Sequence, residues 1–132
     1  MEYLADTVAL IRHLSGTGRI GKAAKEILKT ADQGEHIIYI SIISMVEIMY
    51  LAEGNRIPAD FRTIKSKIIN SDNYQIIDLD MEIVETAKGI RKLELHDRLI
   101  VATGNYLQIP ILTCDQSIQE SNAIRTIWAE EL

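Results

Sequence analysis

Four acidic residues stand at positions where the hydrophobic pattern predicts that strands end or helices begin. Asp6 follows a short apolar run at residues 2–5, and Glu47 lies one turn into a helical pattern that follows a β-branched run. Asp97 begins the pattern of a later helix, and Asp115 follows another short apolar run. If the four carboxylates converge, a positive group must lie among them, because two carboxylates about 5 Å apart repel by about 3 kcal/mol at an effective dielectric of about 20.

Carboxylate-only sites select hard cations, and Mg²⁺ or Mn²⁺ is the usual choice where the substrate is a phosphate ester. Such ions activate water and stabilise charge on phosphorus. The pattern therefore predicts a metal-dependent phosphodiesterase whose metal ligands and catalytic residues are Asp6, Glu47, Asp97 and Asp115. Thr7 and Thr113 would orient carboxylates or water around the metal, although a role in turns explains them equally well.

Each acid also has a structural interpretation that the sequence leaves open. Asp6 and Asp97 stand at predicted helix starts, where Asp is a common N-cap. Glu47 completes the capping-box pattern that begins at Ser44, and Asp115 closes a Thr-Cys-Asp sequence that suits an Asx turn. His96 is interpreted as a loop histidine. The remaining acids near these positions are interpreted as capping or solvated, and they are Asp78, Asp80, Glu82 and Glu94.

The same pattern alternates strands and helices along the chain. Strands are predicted at residues 2–5, 37–40, 74–79, 110–113 and 124–128, and helices after residue 6, at 19–33, 44–52, 58–69, after residue 80 and at 97–107. Strands separated by helices need crossovers, so we expect an α/β fold, a three-layer sandwich around a mainly parallel sheet of about five strands. Ligands of such folds bind outside the carboxyl ends of the strands, where the four acids are placed.

Length and composition restrict the class of protein. With 132 residues, 47% hydrophobic and 25% charged, the chain suits one soluble domain covering residues 1–132. Its longest uncharged apolar stretch, residues 36–46, is shorter than the roughly 18 residues of a membrane span, and no signal-peptide pattern precedes it. We therefore expect a cytoplasmic protein that does not enter a membrane.

Cysteine and charge give two further constraints. Cys114 is the single cysteine, which excludes an internal disulfide and agrees with a reducing compartment. It does not stand at a zinc-ligand spacing from any of the three histidines, so a zinc site is set aside. The net charge of −5 argues against nucleic-acid binding, but cations bound by the acids would offset that charge locally.

Around these acids the chain resembles the PIN-domain family and, within it, the short VapC-type toxins of prokaryotic toxin–antitoxin pairs. Four motifs carry the resemblance, in the order in which the family has them: Tyr3-Leu4-Ala5-Asp6-Thr7, Ser44-Met45-Val46-Glu47, His96-Asp97-Arg98-Leu99-Ile100-Val101-Ala102 and Thr113-Cys114-Asp115. Two positions depart from the family. Val8 replaces a frequent Asn or Ser, and Ser117 replaces a frequent second acid, which puts a second metal ion in question.

The resemblance implies an endoribonuclease that needs Mg²⁺ or Mn²⁺, holds it with the four acids and leaves a 5′-phosphate. It also implies a homodimer. The implied partners are an RNA substrate and an antitoxin, and the disordered tail of the antitoxin would place an Arg or Lys in the acidic pocket. Arg91, Lys92 and Arg98 lie near the third motif and would contact the RNA backbone, although a solvated helix face explains them as well.

Two other functions are considered. A PIN-like binding module that has lost turnover would explain Val8 and Ser117. A phosphotransfer enzyme with Asp6 as nucleophile would usually carry a second Asp where Val8 stands.

Overall fold

The computed structural model describes residues 1–129, so the predicted domain of residues 1–132 extends three residues beyond the described part. The strands are β1 (Glu2–Ala5), β2 (Ile37–Ser41), β3 (Tyr74–Ile77), β4 (Ile111–Leu112) and β5 (Thr126–Ile127). The helices are α1 (Thr7–Ser15), α2 (Lys22–Asp32), α3 (Ile42–Glu53), α4 (Phe61–Ile69), α5 (Met81–Lys88), α6 (Leu95–Leu107) and α7 (Gln116–Ser121).

The five strands form one parallel sheet in the order β3-β2-β1-β4-β5. β1 lies in the centre, where Leu4 pairs with Tyr39 of β2 and with Ile111 of β4. Because every pair is parallel, the carboxyl ends of all five strands lie at one edge of the sheet. The predicted parallel sheet of about five strands is confirmed, and the last strand, predicted at residues 124–128, is the edge strand β5.

Alternating side chains of β1 enter two separate hydrophobic cores. Tyr3 and Ala5 pack in a core with α1–α4, whereas Leu4 packs in a second core with α5–α7. Successive residues of a strand point to opposite faces, so helices cover both sides of the sheet. The predicted three-layer sandwich is therefore confirmed. Within residues 1–129, no helix is long and apolar enough to cross a bilayer.

The predicted starts of the two helices that carry Asp97 and Glu47 are wrong. α6 begins at Leu95 rather than at Asp97, because Glu94 is the N-cap and accepts a hydrogen bond from the backbone N–H of Asp97 at 2.9 Å. α3 begins at Ile42 with Ser41 as its N-cap, so Ser44 does not cap it and the capping-box interpretation of Glu47 fails. Both corrections free a candidate acid from a capping role.

Two further helix starts involve acids named above. Asp80 caps α5, as predicted, by accepting a hydrogen bond from the backbone N–H of Ile83 at 3.0 Å. Asp115 caps α7, a helix that the hydrophobic pattern did not predict. The proposed Asx turn at Asp115 is therefore the first turn of a short helix.

The end of the described chain caps α2, which has no side-chain cap of its own. The backbone N–H groups of Ala24 and Ala23 donate to the carbonyls of Trp128 at 2.9 Å and Ala129 at 3.3 Å. A Cβ on Gly21 would lie 2.4 Å from the carbonyl carbon of Trp128, which is too close for any side chain. Glycine at position 21 thus permits the close approach between the start of α2 and the end of the described chain.

Candidate active site

The four candidate acids come from four elements that meet at the carboxyl edge of the sheet. Asp6 follows β1, Asp115 follows β4, Glu47 lies in α3 directly after β2, and Asp97 lies in the first turn of α6. The charges of the other three contribute, after burial, to raising the pKa of Asp97, so each of them lies within electrostatic range of Asp97. The structure therefore brings together the residues that the sequence predicted to converge.

Asp6 is buried and fixed by hydrogen bonds to both carboxylate oxygens. Oδ1 accepts from the backbone N–H groups of Val8 at 2.8 Å and Ala9 at 3.3 Å, which caps α1, while Oδ2 accepts from the hydroxyl of Thr113. Burial raises the pKa of Asp6 above its usual range, these hydrogen bonds oppose that rise, and the charge of Asp115 adds to it. The capping interpretation of Asp6 is correct, but the cap uses only one of its two oxygens.

Glu47 is tied to the start of α1. The hydroxyl of Thr7 donates to Oε1 of Glu47 at 2.5 Å, and Thr7 Oγ1 also lies 3.0 Å from the Ser44 hydroxyl oxygen. On the other side of the carboxylate, Nδ1 of His96 lies 3.4 Å from Oε2. Since Thr7 and Ser44 are buried, the Glu47 carboxylate is held toward the end of β1 rather than toward solvent.

Asp97 has a strongly perturbed pKa, which rises to about 6. Burial is the largest cause, followed by the negative charges of Asp115, Glu94, Glu47 and Asp6. In residues 1–129 no Lys or Arg forms an ion pair with any of these acids. The edge thus carries more negative charge than the surrounding side chains neutralise.

The Thr113 hydroxyl joins the two acids that follow the central strands. It donates to Asp6 and accepts a hydrogen bond from the backbone N–H of Asp115 at 3.0 Å. Asp115 Oδ1 in turn accepts from the backbone N–H of Ile118 at 3.2 Å. Thr113 therefore fixes the relative positions of Asp6 and Asp115 across neighbouring strands.

The donor chemistry of the site suits a hard divalent cation. Four carboxylates supply oxygen ligands, and a cation among them would remove the repulsion that Asp97 experiences. Among the described residues, however, no three His, Cys, Asp or Glu side chains already stand in an arrangement that could hold a metal ion. The residues fit Mg²⁺ or Mn²⁺ by chemistry, and their side chains would have to move to close around it.

Sequence reasoning missed several neighbours of these acids. His96 lies in the first turn of α6 and faces Glu47, rather than standing in a loop. Ser44 belongs to the hydrogen-bonded group around Thr7, and nothing in its sequence context distinguished it from a cap. Arg98, predicted as a possible RNA contact, donates from Nε to the Ala87 carbonyl at 3.1 Å and so joins α6 to α5.

The PIN domain family model matches residues 3–123. The chain belongs to the PIN domain family. Among curated proteins, no sequence matches the chain. Solved structures with the same fold include VapBC2 from Rickettsia felis bound to a DNA fragment from its promoter, at 16% identity and a TM-score of 0.72, covering 97% of this chain and 99% of that one.

Two further PIN-like structures cover almost the whole chain. A toxin–antitoxin complex from Klebsiella pneumoniae is 23% identical with a TM-score of 0.67, covering 98% of this chain and 99% of that one. DNA-bound VapBC from Salmonella typhimurium is 16% identical with a TM-score of 0.70, covering 96% of each chain. At these identities the similarity shows a shared PIN fold.

Proposed function

We propose that this PIN-domain protein is an endoribonuclease that requires Mg²⁺ or Mn²⁺ and acts as the toxin of a toxin–antitoxin pair. The observation that carries the proposal is the group of carboxylates at the carboxyl edge of the sheet, where burial first, and then the charges of the neighbouring acids, raise the pKa of Asp97 to about 6. A purely structural role would not require acids from three other elements to lie within electrostatic range of Asp97 without a neutralising cation.

The proposed ligands of the cation are Asp6, Glu47, Asp97 and Asp115. When bound, the cation would supply the charge that activates water for attack on phosphorus and stabilises the transition state. Thr113 and Thr7 hold Asp6 and Glu47 by hydrogen bonds, which would limit how far these two carboxylates move when the cation binds. We expect the product to carry a 5′-phosphate.

The structures named above support the toxin part of the proposal, because they are VapBC or toxin–antitoxin complexes. We propose that this chain likewise acts in the cytoplasm, forms a homodimer and is inhibited by an antitoxin. Exposed apolar side chains on α3 support a protein partner: Val46 is 46%, Met49 41% and Tyr50 65% exposed. Met45 of the same helix is buried in the core and does not belong to this surface.

RNA cleavage by the purified protein tests the enzymatic proposal. Several structured RNAs are incubated with Mg²⁺, with Mn²⁺ and with EDTA, and the Asp97→Asn variant is purified and assayed in parallel. We expect cleavage only with the metals and only by the unmodified protein. Asp72→Asn is the matched control, since Asp72 is exposed and precedes β3 at the opposite edge of the sheet. Cleavage that persists in EDTA or in Asp97→Asn would overturn the metal mechanism.

A binding module without turnover is the second candidate. It is favoured because, within the described residues, no three potential ligand side chains already stand in an arrangement that could hold a metal ion. Val8 and Ser117, the two departures from the family pattern, are both exposed and leave the four acids intact. Metal binding measured by calorimetry without any cleavage of RNA would support the module over the nuclease.

A further inference from the structure

A basic segment interrupts the otherwise acidic chain. Residues 12–29 contain five of the 14 Lys and Arg residues but one of the 19 Asp and Glu residues, so their net charge is +4 in a chain whose total is −5. The segment comprises the end of α1, the connecting loop and most of α2. Such an asymmetry creates a local positive potential that attracts anions despite the overall charge.

A cavity of about 290 Å³ opens in this segment, and three of its lining side chains are the cations Arg12, Lys25 and Lys29. The one acid in its lining, Asp32, already accepts hydrogen bonds from His13 at 2.8 Å and from Tyr74 at 3.0 Å. The volume is at the small end of ligand pockets, which suits a phosphate group better than a whole nucleotide.

The three cations have no acidic partner in the part of the chain that the structure describes, residues 1–129. Arg12 is nevertheless held in place, because its guanidinium donates to the Arg19 carbonyl at 2.8 Å. A Cβ on Gly18 would lie 2.9 Å from Arg12 Cγ, Cδ and Nε, so glycine lets the side chain lie against the loop. Arg12 is therefore ordered before any ligand arrives, which lowers the entropic cost of binding.

The cavity lies beside the carboxylate edge. The Arg12 guanidinium is 4.0 Å from the sulfur of Cys114, which stands between Thr113 and Asp115. A strand whose reacting phosphate lies at the four acids must continue past them, and its neighbouring phosphates need cations there to offset the repulsion of the acids.

We propose that Arg12, Lys25 and Lys29 form a binding site for a backbone phosphate of the RNA strand next to the cleaved bond. This inference rests on the proposed nuclease function and adds to it a place where the substrate is held. An acidic protein segment is the other polyanion that the charge would attract. The adjacency of Arg12 to the catalytic edge favours RNA, because only a substrate strand has to pass both places.

Backbone NMR of the full chain, about 14.9 kDa, tests the proposal without turnover. A single-stranded RNA of about 12 nucleotides is titrated in EDTA, and separate titrations use inorganic phosphate and an oligoglutamate peptide. The double variant Lys25→Gln/Lys29→Gln is compared with Lys65→Gln/Lys88→Gln, which removes two exposed lysines from α4 and α5. In Mg²⁺, KM and kcat for RNA cleavage are measured for the same proteins.

We expect RNA to shift amide signals of residues 12–29, and the shifts to be lost in Lys25→Gln/Lys29→Gln but kept in the control. In cleavage, the double variant should raise KM about tenfold with kcat nearly unchanged, because the contact is the same in ground and transition state. For this variant the slope of log affinity against log salt should become shallower by about 0.7, the value for one phosphate contact on a single strand.

Three results would overturn the site. These are RNA shifts confined to other surfaces, equal effects of the two double variants, or stronger shifts with oligoglutamate than with RNA. If inorganic phosphate shifts these signals and RNA does not, the site binds an adventitious ion only, and the proposal is likewise overturned. Metal-dependent cleavage without RNA shifts in residues 12–29 would reject this site but retain the proposed nuclease function. RNA shifts in these residues without any cleavage would retain the binding site but reject the nuclease function.

Discussion

Asp97 retains its proton to a higher pH than an ordinary aspartate, because burial and four nearby acids disfavour its charge. Its own carboxylate caps nothing, since Glu94 performs that role in α6. The usual cost of replacing a helix N-cap therefore does not apply, and the effect of a substitution at this position is dominated by the burial of the charge and by its repulsion from the nearby acids.

We predict that Asp97→Asn stabilises the metal-free protein at pH 7.5 and abolishes cleavage. The folded-state pKa of Asp97 is raised from 3.8 to about 6, so the folded state binds more protons than the unfolded state between these values. Stability consequently falls as the pH rises through that window, and the variant escapes the loss.

Since Asp97 is only half-buried, solvent screening reduces the gain to about 1 kcal/mol, or roughly 3–5 °C in Tm. Thermal unfolding in EDTA at pH 4 and pH 7.5 measures this, with Asp72→Asn as the control. A stability difference between variant and parent that is the same at both pH values would contradict the electrostatic explanation.

We predict that Thr113→Val weakens both folding and metal binding. The substitution leaves Oδ2 of Asp6 without its donor and the backbone N–H of Asp115 without its acceptor. Loss of these buried hydrogen bonds should cost about 1–3 kcal/mol of unfolding free energy and reduce Mn²⁺ affinity about 10–100-fold. Urea unfolding and calorimetry measure the two effects, and Thr113→Ser, which keeps the hydroxyl, should lie near the unmodified protein in both.

At the scale of elements, the order of strands and helices follows from hydrophobic spacing because each long element has a clear apolar face. β1 has the predicted bounds, whereas α7 was not predicted. Ile118 is the one buried residue of α7, and a single apolar position cannot show the helical spacing of hydrophobic residues. The start of α6 was misplaced because Glu94 and Asp97 both suit an N-cap, and only the backbone path decides between them.

The candidate site was predictable to the extent that it depends on strand ends. Four acids after predicted strands or at predicted helix starts were placed at one edge by topology alone. The contacts of Thr7 with Ser44 and Glu47 span 37 and 40 positions of the chain, and that of Thr113 with Asp6 spans 107. Such contacts depend on side-chain packing between distant elements, for which local sequence contains no signal.

The close approach of α2 to the end of the chain gives a prediction for glycine. Gly21→Ala should destabilise the fold by about 2–3 kcal/mol, because its Cβ would collide with the Trp128 backbone. Gly89→Ala is the matched control, since φ at Gly89 is −82° and its Cβ would meet only the Thr86 carbonyl oxygen, at an ordinary 3.7 Å. The control should be neutral or slightly stabilising. Equal unfolding midpoints for the two variants would show that the close approach does not contribute to stability.

At the scale of the whole molecule, an acidic chain with a carboxylate edge and an exposed apolar face on α3 suits a basic inhibitor that folds on binding. We predict that the chain alone slows bacterial growth when overexpressed and that co-expression with the adjacent upstream reading frame restores it. Affinity purification followed by size-exclusion chromatography should yield a complex containing two copies of this chain. If no neighbour co-purifies and growth is unaffected, the toxin assignment fails although the PIN fold stands.

The central position of β1 determines when during synthesis the site becomes complete. Asp6 emerges from the ribosome first, but its neighbours in the sheet are β2, made early, and β4, which begins at Ile111. Two residues are translated later still. Thr113 completes the hydrogen bonds of Asp6, and Asp115 completes the set of four acids. A nascent chain that stalls before these residues would therefore lack Asp115 and the hydroxyl that holds Asp6, so an unfinished chain would not contain the complete carboxylate set.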